Sequence, residues 1–177
     1  LFDLVDYVYH RVQHNVGWWW QLHAVHHSQQ QMTLWTDNRN HLLDSVLRDS
    51  VFVLLALAVG VPPAQFVAIV AVTQLVESLS HANVQLGFGP FRALLVSPTY
   101  HRLHHAAGVG HETAGQGTLG GHNFAVLFPV WDILFGTARF DEVTGPTGIR
   151  DQWEGRDYGH GFWSQQWRAL LRLAGRA

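Results

Sequence analysis

The sequence predicts an all-α integral membrane protein in which a hydrophobic helical hairpin carries a histidine-rich helical cap. Two observations predict this fold class. Hydrophobic residues make up 47% of the 177 residues and charged residues only 14%, which is more apolar than an ordinary soluble domain. Histidines recur at helical spacing on both sides of one long apolar stretch. The length suits a single domain, and we expect residues 1–177 to form one.

Composition also excludes several classes of function. The formal net charge is −2, and binding to phosphates needs a basic surface, so nucleic acid is not an expected partner. The chain has no cysteine, which excludes disulfides, thiolate zinc sites and cysteine-ligated iron–sulfur clusters within it. Any bound metal therefore has nitrogen and oxygen ligands. The first residue is not methionine, and we expect the natural chain to extend further at its N terminus, with another hairpin there.

The first region of the chain predicts two helices, one on either side of Asn15 and Gly17, which are typical of a helix end. In the first helix, Asp6, His10 and His14 recur at steps of four and so share one face. The second helix contains WWWQLHAVHH. Its three tryptophans suit a membrane–water interface or a packed core equally well.

The second region is a long apolar stretch with Gly60, Pro62 and Pro63 in its middle. It is long enough for one transmembrane helix, which needs ~20 residues, but the prolines would kink such a helix. One kinked span and a hairpin of two helices both fit the composition. If the histidines before and after the stretch build one site, the chain must return to the side it left. We therefore predict a hairpin with helices at 46–59 and 64–80, each roughly 20 Å long and short for a complete crossing.

The remaining elements follow from local signals. Ser97 and Pro98 are a good N-cap and first residue of a helix, which places the next histidines in its first two turns. The glycine-rich segment 106–121 predicts an irregular loop. In the tail, 162–176, arginines share one helical face and tryptophans and leucines another. That pattern is typical of an interfacial helix or of a last packing helix.

Three histidine clusters and one further histidine carry the functional information. Residues at i, i+3 and i+4 project from one side of a helix, so HxxHH directs three imidazoles to one point and HxxxH directs two. The candidate metal ligands are His10, His14, His23, His26, His27, His81, His101, His104 and His105. Burying so many imidazoles without partners is costly, so metal ligation is the economical explanation. For His111 and His160 we expect an ordinary structural role, either at the surface or as a satisfied core residue.

The size of this set indicates two metal ions. One zinc prefers four ligands and cannot use nine histidines, whereas two metals with four or five each can. Imidazole suits iron, zinc, copper and nickel alike, so the ligands alone do not name the metal. The sequence contains neither the paired Glu-x-x-His motifs of a ferritin-like site nor the HExxH motif of zinc proteases.

Six motifs in chain order extend this pattern beyond the histidines. They are HRVQH at 10–14, WQLHAVHHS at 20–28, RNH at 39–41, HAN at 81–83, HRLHH at 101–105 and NFAVLFPVWDILFGT at 123–137. Together they resemble the fatty acid hydroxylase/sterol desaturase superfamily of membrane-bound di-iron oxygenases, in a bacterial-type member. The match covers most of the chain, and the combination is specific although each HxxxH alone would be weak.

The resemblance implies an oxygen-dependent lipid hydroxylase or desaturase in the bacterial inner membrane, with its metal site facing the cytoplasm. The nine histidines would hold two iron ions, and zinc would be the alternative occupant in a purified sample. Dioxygen is the implied co-substrate and a membrane lipid the implied substrate. The sequence has no Gly-rich dinucleotide fingerprint, so an external reductase, ferredoxin or cytochrome would supply electrons.

Asp6 is the first candidate for orienting a ligand. It lies one helical turn before His10, where its carboxylate can fix the imidazole ring by a hydrogen bond. Asp3 is a weaker candidate for the same role. The alternative for Asp6 is an ion pair with Arg11 or Arg102.

Glu77 and His122 are further candidates. Glu77 precedes His81 by one helical turn and would be a ligand or an orienting group. His122 falls beside the asparagine of the last motif, and we expect it to be a loop residue rather than a ligand.

One departure from the family pattern bears on the substrate. Many members have Asn-Tyr-Gly where this chain has Asn123-Phe124-Ala125, and the segment 106–121 is longer and richer in glycine than usual. Hydroxylation and desaturation therefore both stay open, as do fatty acyl chains, sterols, ether lipids and carotenoids as substrates.

Two other functional classes use the same histidines. A di-zinc membrane hydrolase would lower the pKa of bound water and need neither oxygen nor an electron donor. A non-catalytic metal-binding membrane protein would need no ordered substrate pocket. The WDxLFGT segment argues against both classes, because it extends the resemblance beyond the ligands.

Overall fold

The computed structural model describes residues 1–108, 120–141 and 145–176. Within these ranges the chain is helical, and the only strand-like pairing is an isolated bridge between Ala106 and Thr147. The α-helices are α1 (Phe2–Asn15), α2 (Gly17–His27), α3 (Leu42–Val59), α4 (Pro63–Ser80), α5 (Pro98–His104), α6 (Val130–Leu134) and α7 (Phe162–Leu173). The predicted all-α class is confirmed.

The first two helices are separated by a single residue. Val16 adopts an extended conformation, with φ −109° and ψ 111°, so α1 and α2 change direction there. The two predicted helices are present, but Gly17 begins α2 rather than ending α1. The change of direction brings the histidine faces of both helices to the same interior.

The predicted hairpin appears as α3 and α4. Gly60 ends α3 in the left-handed region, at φ 71°, and Pro63 begins α4. Its arms return the chain to one end, because Arg48 Nη2 of α3 lies 2.8 Å from Glu77 Oε1 of α4. Helix α3 starts four residues before the predicted 46 because the His41 side chain accepts a hydrogen bond from Leu43 N and caps it.

One helix among the described residues is long and apolar enough to span a membrane, namely α4. The N-terminal end of α1 contacts both arms of the hairpin. The ring centroid of Phe2 lies 6.0 Å from that of Phe52 in α3 and 6.1 Å from that of Phe66 in α4. Crossing of a bilayer by the hairpin stays a prediction.

The predicted cap of α5 is confirmed, since Ser97 Oγ accepts a hydrogen bond from Tyr100 N at 3.2 Å. Most of the predicted glycine-rich loop, including His111, lies outside the described residues. Helix α7 packs against α2. Its buried residues are Gln166, Ala169 and Arg172, and its tryptophans are exposed. The helix therefore packs with the side that carries Arg172 rather than with its tryptophans.

The apolar core is divided into small clusters around the histidines. One cluster joins α1, α5 and the segment before α6: Tyr7, Val96, Tyr100, Phe124 and Ala125. Two others join α2 to the C-terminal part of the chain: Trp20, Ala24, Ile149 and Tyr158, and Leu22, Val25 and Ala169. The middle of the fold is therefore occupied by imidazoles rather than by aliphatic side chains.

Candidate metal centre

The structure brings all nine predicted histidines together in one buried cluster. None is more than 7% exposed. Their possible ligand atoms form groups within 4.8 Å, which we call the first group (His10, His14, His23, His27), the second group (His26, His81, His101, His105) and the linking group (His27, His104, His105). Each of the first two groups has the four nitrogens that one metal ion needs.

Helical periodicity explains how so few elements supply so many imidazoles. Helix α1 contributes two of the histidines and α2 contributes three. Helix α5 contributes two more, and its C-cap is His105. His81 is the C-cap of α4, so the returning arm of the hairpin delivers it directly to the second group.

Backbone carbonyl oxygens fix the tautomer of three of these rings. The Nδ1 atoms of His10, His81 and His104 lie 2.7–2.8 Å from the carbonyl oxygens of Phe124, Glu77 and His122, respectively. A carbonyl oxygen only accepts, so each Nδ1 carries the hydrogen and donates it. Each Nε2 therefore keeps its lone pair for a metal.

The nitrogen spacing in the second group fits a shared cation. The Nε2 atoms of His26 and His81, of His81 and His101, and of His101 and His105 are each 3.1 Å apart. Two nitrogens that ligate one metal at about 2.1 Å lie roughly 3 Å apart when they subtend a right angle. In the first group, the buried Nε2 of His23 has no hydrogen-bond partner among the described residues. Both observations suit metal binding.

Burial also keeps the cluster in the form that binds metals. It lowers the pKa values of His10, His26, His101 and His105 well below their ordinary 6.5, and repulsion among the imidazoles lowers them further. Burial lowers the pKa of His81 to about 4. These rings are therefore neutral at pH 7, as ligands must be.

Asp44 is a site residue that the sequence analysis missed. It is 3% exposed, and its Oδ2 lies 3.2 Å from His23 Nδ1. Gln13 Nε2 donates to both of its oxygens at 2.8 Å, and Trp19 Nε1 donates at 2.9 Å. The only feature of the sequence that could have pointed to Asp44 is its position three residues after the RNH motif. The contact with His23 depends on how α2 and α3 pack, which the sequence does not show.

The structure gives the Asp6 carboxylate a different partner from the predicted one. This carboxylate does not contact His10, Arg11 or Arg102 but binds Arg48, at 3.1 Å to Nε and 2.7 Å to Nη2. The Phe124 carbonyl takes the place that Asp6 was predicted to fill, because the last motif folds back over α1. Arg48 belongs to α3, so the partner of Asp6 comes from a helix distant in sequence.

Glu77 and Asp3 also bind groups other than imidazole nitrogens. The Glu77 carboxylate binds Arg48 at 2.8 Å, and only its backbone carbonyl orients His81. The Asp3 carboxylate accepts from Leu127 N at 3.0 Å and from Trp131 Nε1 at 2.6 Å.

His122 lies at the edge of the centre. Its side chain is partly buried and belongs to none of the three groups among the described residues. Its carbonyl oxygen accepts from His104 Nδ1 at 2.7 Å, so it orients a candidate ligand through the backbone.

The last motif holds the segment that orients His10. Asp132 is fully buried and accepts from Phe124 N at 2.9 Å and from Ala125 N at 2.8 Å. It also accepts from Tyr100 Oη at 2.8 Å and Thr137 Oγ1 at 2.6 Å. These bonds fix the Phe124 carbonyl against His10.

The RNH motif acts beside the centre. Arg39 donates to the Val25 carbonyl and, at 3.0 Å, to Ser28 Oγ, so it caps the C terminus of the helix that carries HxxHH. His41 is buried but is engaged elsewhere. Its Nε2 lies 3.2 Å from the Gln166 carbonyl oxygen, and its Nδ1 caps α3.

A cavity of about 230 Å³ opens between α1, α3 and the end of α4 and reaches the histidines. Five imidazoles line it: His10, His23, His26, His81 and His101. The rest of its wall is mostly polar and includes the ion pair between Arg48 and Glu77. A substrate in this cavity would lie directly against both groups of histidines.

Comparison with known proteins identifies the family of this centre. The fatty acid hydroxylase family model matches residues 1–137. The chain belongs to the fatty acid hydroxylase family. The resemblance that the six motifs predicted is therefore confirmed, and the matched residues include every candidate ligand.

The curated relatives of this family member are lipid-modifying enzymes. It is 29% identical over 131 residues to the ornithine lipid hydroxylase OlsE of Rhizobium tropici, covering 74% of this chain and 37% of the relative. It is 29% identical over 135 residues to the alkylglycerol monooxygenase of Homo sapiens, covering 76% and 28%. The chain thus spans about a third of the length of these relatives. No solved structure matches it.

Proposed function

We propose that this member of the fatty acid hydroxylase family is an oxygen-dependent lipid hydroxylase or desaturase with two iron ions held by nine histidines. The observation that carries the proposal is the convergence of nine buried imidazoles beside a cavity that reaches five of them. Lipid hydroxylase and monooxygenase relatives support the reaction class. In this proposal residues 1–177 form one catalytic domain.

Bound iron would supply the activation of dioxygen towards a C–H bond. The residues of the chain hold and orient the ligands for that chemistry. Backbone carbonyls fix the rings of His10, His81 and His104, and burial leaves each of the nine histidines at most 7% exposed. Asp6, Arg48 and Glu77 tie α1, α3 and α4 together around the cavity.

We propose that the substrate is a membrane lipid oxidised close to its polar headgroup. The cavity wall next to the imidazoles carries charged and amide side chains rather than an aliphatic tunnel. A long acyl chain would lie more favourably along the exposed apolar faces of α3 and α4. The names of the relatives, an ornithine lipid hydroxylase and an alkylglycerol monooxygenase, agree with a lipid substrate.

The location and partners follow from the same proposal. We place the hairpin in the bacterial inner membrane and the histidine centre on its cytoplasmic side, where a reductase, ferredoxin or cytochrome delivers two electrons per turnover. The apolar character of α4 supports membrane association. No Gly-rich dinucleotide motif occurs in residues 1–177, which supports an external donor.

The test is metal content and oxygen uptake of the full-length protein, purified in detergent and supplied with a chemical reductant and a host lipid extract. Two irons per chain with lipid-dependent oxygen uptake, and an oxygenated or desaturated lipid by mass spectrometry, are expected. His27→Ala should abolish uptake, because His27 belongs to the first and the linking groups. His160→Ala, at an exposed histidine, is the matched control and should leave uptake unchanged. Two zincs after anaerobic, iron-replete purification, without oxygen uptake, would instead favour the hydrolase.

A further inference from the structure

The structure assigns Asp44 as a positioning residue for the first group of histidines, and we propose that it makes the two metal positions unequal. The inference rests on the proposed two-metal centre. Its basis is the contact between Asp44 Oδ2 and His23 Nδ1, at 3.2 Å. Both side chains are buried, with 3% and 6% exposure. No other part of the proposed function requires this contact.

The carboxylate of Asp44 is held in place from three other sides. Gln13 Nε2 donates to both oxygens, Trp19 Nε1 donates to Oδ1, and Tyr9 Oη lies 3.3 Å from Oδ1. An ionised carboxylate only accepts, so each of these groups donates to it. With its other contacts satisfied, Asp44 holds His23 with Nδ1–H towards the carboxylate and Nε2 towards the first group.

The second group has no equivalent of Asp44. His81 Nδ1 donates to a neutral carbonyl, that of Glu77. The Nδ1 atoms of His26, His101 and His105 have no hydrogen-bond partner among the described residues. Within the same part of the chain, the hydrogen bonds and ion pairs join no carboxylate oxygen to a ring of the second group. The Glu77 side chain, the nearest candidate by sequence, binds Arg48 instead.

This difference predicts a difference in metal affinity. A carboxylate that accepts from the far nitrogen of an imidazole orients the ring and makes it a stronger ligand, and losing such a partner typically weakens metal binding roughly 10- to 100-fold. Its negative charge also offsets the charge of the cation in a site of neutral imidazoles. The first group should therefore bind the first metal ion, and the second group the second, more weakly.

The experiment is a Co²⁺ titration of the metal-free, full-length protein in detergent, followed by visible absorption. The wild-type protein should bind two equivalents in two phases of unequal affinity. Asp44→Asn should weaken the tighter phase roughly 10- to 100-fold and leave the weaker phase unchanged. Two phases of equal affinity in the wild type, or an equal weakening of both phases in Asp44→Asn, would overturn the proposal.

Three further variants separate positioning from general damage. Trp19→Phe removes one donor to Asp44 and keeps the contact with His23, so both phases should be retained. Asp151→Asn, which changes a carboxylate that contacts Tyr158 and Arg156 rather than an imidazole, should also retain both. His23→Ala should remove the tighter phase and keep the weaker one, even if Asp44→Asn does not fold. Loss of the weaker phase instead would contradict the assignment.

The readout also separates this inference from the proposed oxygenase function. A wild-type protein that binds no Co²⁺ would contradict both proposals. A protein that binds two Co²⁺ ions unequally but shows no lipid-dependent oxygen uptake with iron would keep the role of Asp44 and contradict the oxygenase. Lipid-dependent oxygen uptake with iron, together with two Co²⁺ phases of equal affinity, would keep the oxygenase and contradict the role of Asp44.

Discussion

The histidine centre and the helical hairpin obey opposite rules of burial. In the centre, nine imidazoles are at most 7% exposed. In the hairpin, apolar side chains face outward, with Leu57 72% exposed and Leu75 71% exposed. Buried polar groups need internal partners, whereas a long exposed apolar surface needs a solvent other than water. The contrast indicates that the two regions suit different surroundings: protein encloses the centre except at the cavity, and in our proposal the hairpin lies against lipid.

Acidification should cause the largest loss of stability, because it protonates the buried histidines of the centre. Burial lowers the pKa of His81 from 6.5 to about 4, so the folded metal-free protein takes up a proton less readily than the unfolded chain does. The resulting contribution of neutral His81 to the free energy of unfolding is fully present above pH 6.5 and is lost as pH falls towards 4. Since a pKa difference of one is worth about 1.4 kcal/mol, protonation of His81 alone lowers the free energy of unfolding by roughly 3 kcal/mol. The other histidines with lowered pKa values change the stability in the same direction.

Thermal melting of the metal-free protein in detergent between pH 8 and pH 4 measures this effect. The melting temperature should fall steeply below about pH 6.5, whereas iron-loaded protein should resist until protons displace the metal. His160→Ala should give the wild-type profile, because that histidine is exposed. A melting temperature that stays constant down to pH 4.5 would show that the buried imidazoles do not behave as inferred.

A charge placed on the hairpin should have the next largest effect. Val72 lies in the middle of α4 and is 58% exposed. An arginine at the centre of a membrane-spanning helix costs about 3 kcal/mol relative to valine on insertion, roughly a 100-fold shift. Val72→Arg should therefore move most of the protein from the detergent-extracted fraction to the carbonate-extracted or aggregated fraction.

Val72→Leu is the matched control for this hairpin variant and should remain in the membrane like the wild type. If Val72→Arg is integrated as efficiently as Val72→Leu, α4 does not lie in the hydrocarbon region. Its exposed apolar face would then need another explanation, such as contact with a second protein.

Removing one internal acceptor should have a smaller effect than either change. In Asp132→Asn, at least one of the four groups that donate to Asp132 loses its partner, which costs about 1–3 kcal/mol at a buried site. Denaturant unfolding of the metal-free protein measures this loss. Asp141→Asn, at an exposed ion pair with Arg139, should cost less than about 1 kcal/mol. Equal losses in the two variants would contradict the inferred role of the last motif.

Local signals explain which parts of the fold could be predicted from the sequence. The Ser97 cap and the Gly60 turn act within a few residues, so the start of α5 and the turn of the hairpin were predictable. Helical periodicity likewise predicted that each histidine cluster shares a face. The contacts of Asp44 with His23 and of Arg48 with Asp6 depend on how distant helices pack. No local pattern encodes those distances, so neither contact could be predicted from the sequence.

Helix α7 shows the same limit and gives the smallest expected effect. The sequence separated its arginine face from its tryptophan face, but packing decided which one faces inward. The Arg172 guanidinium lies 4.4 Å from the centre of the Tyr158 ring and donates to the Gln21 carbonyl, so α7 buries a charge. Trp163 is 77% exposed and Trp167 61% exposed. Exposed tryptophans on an amphipathic helix are typical of the bilayer interface.

Because residues 1–177 contain no cysteine, a single introduced cysteine can carry a spin label that reports this surface. A label at Trp163→Cys should collide more with oxygen, which concentrates in the bilayer, than with a water-soluble nickel complex. A label at Glu154→Cys, an exposed polar position, should show the opposite preference. Stability should change by less than about 1 kcal/mol in both variants, because neither side chain is buried. If both labels collide more with the nickel complex than with oxygen, α7 lies away from the membrane. The apolar exterior is then confined to the hairpin.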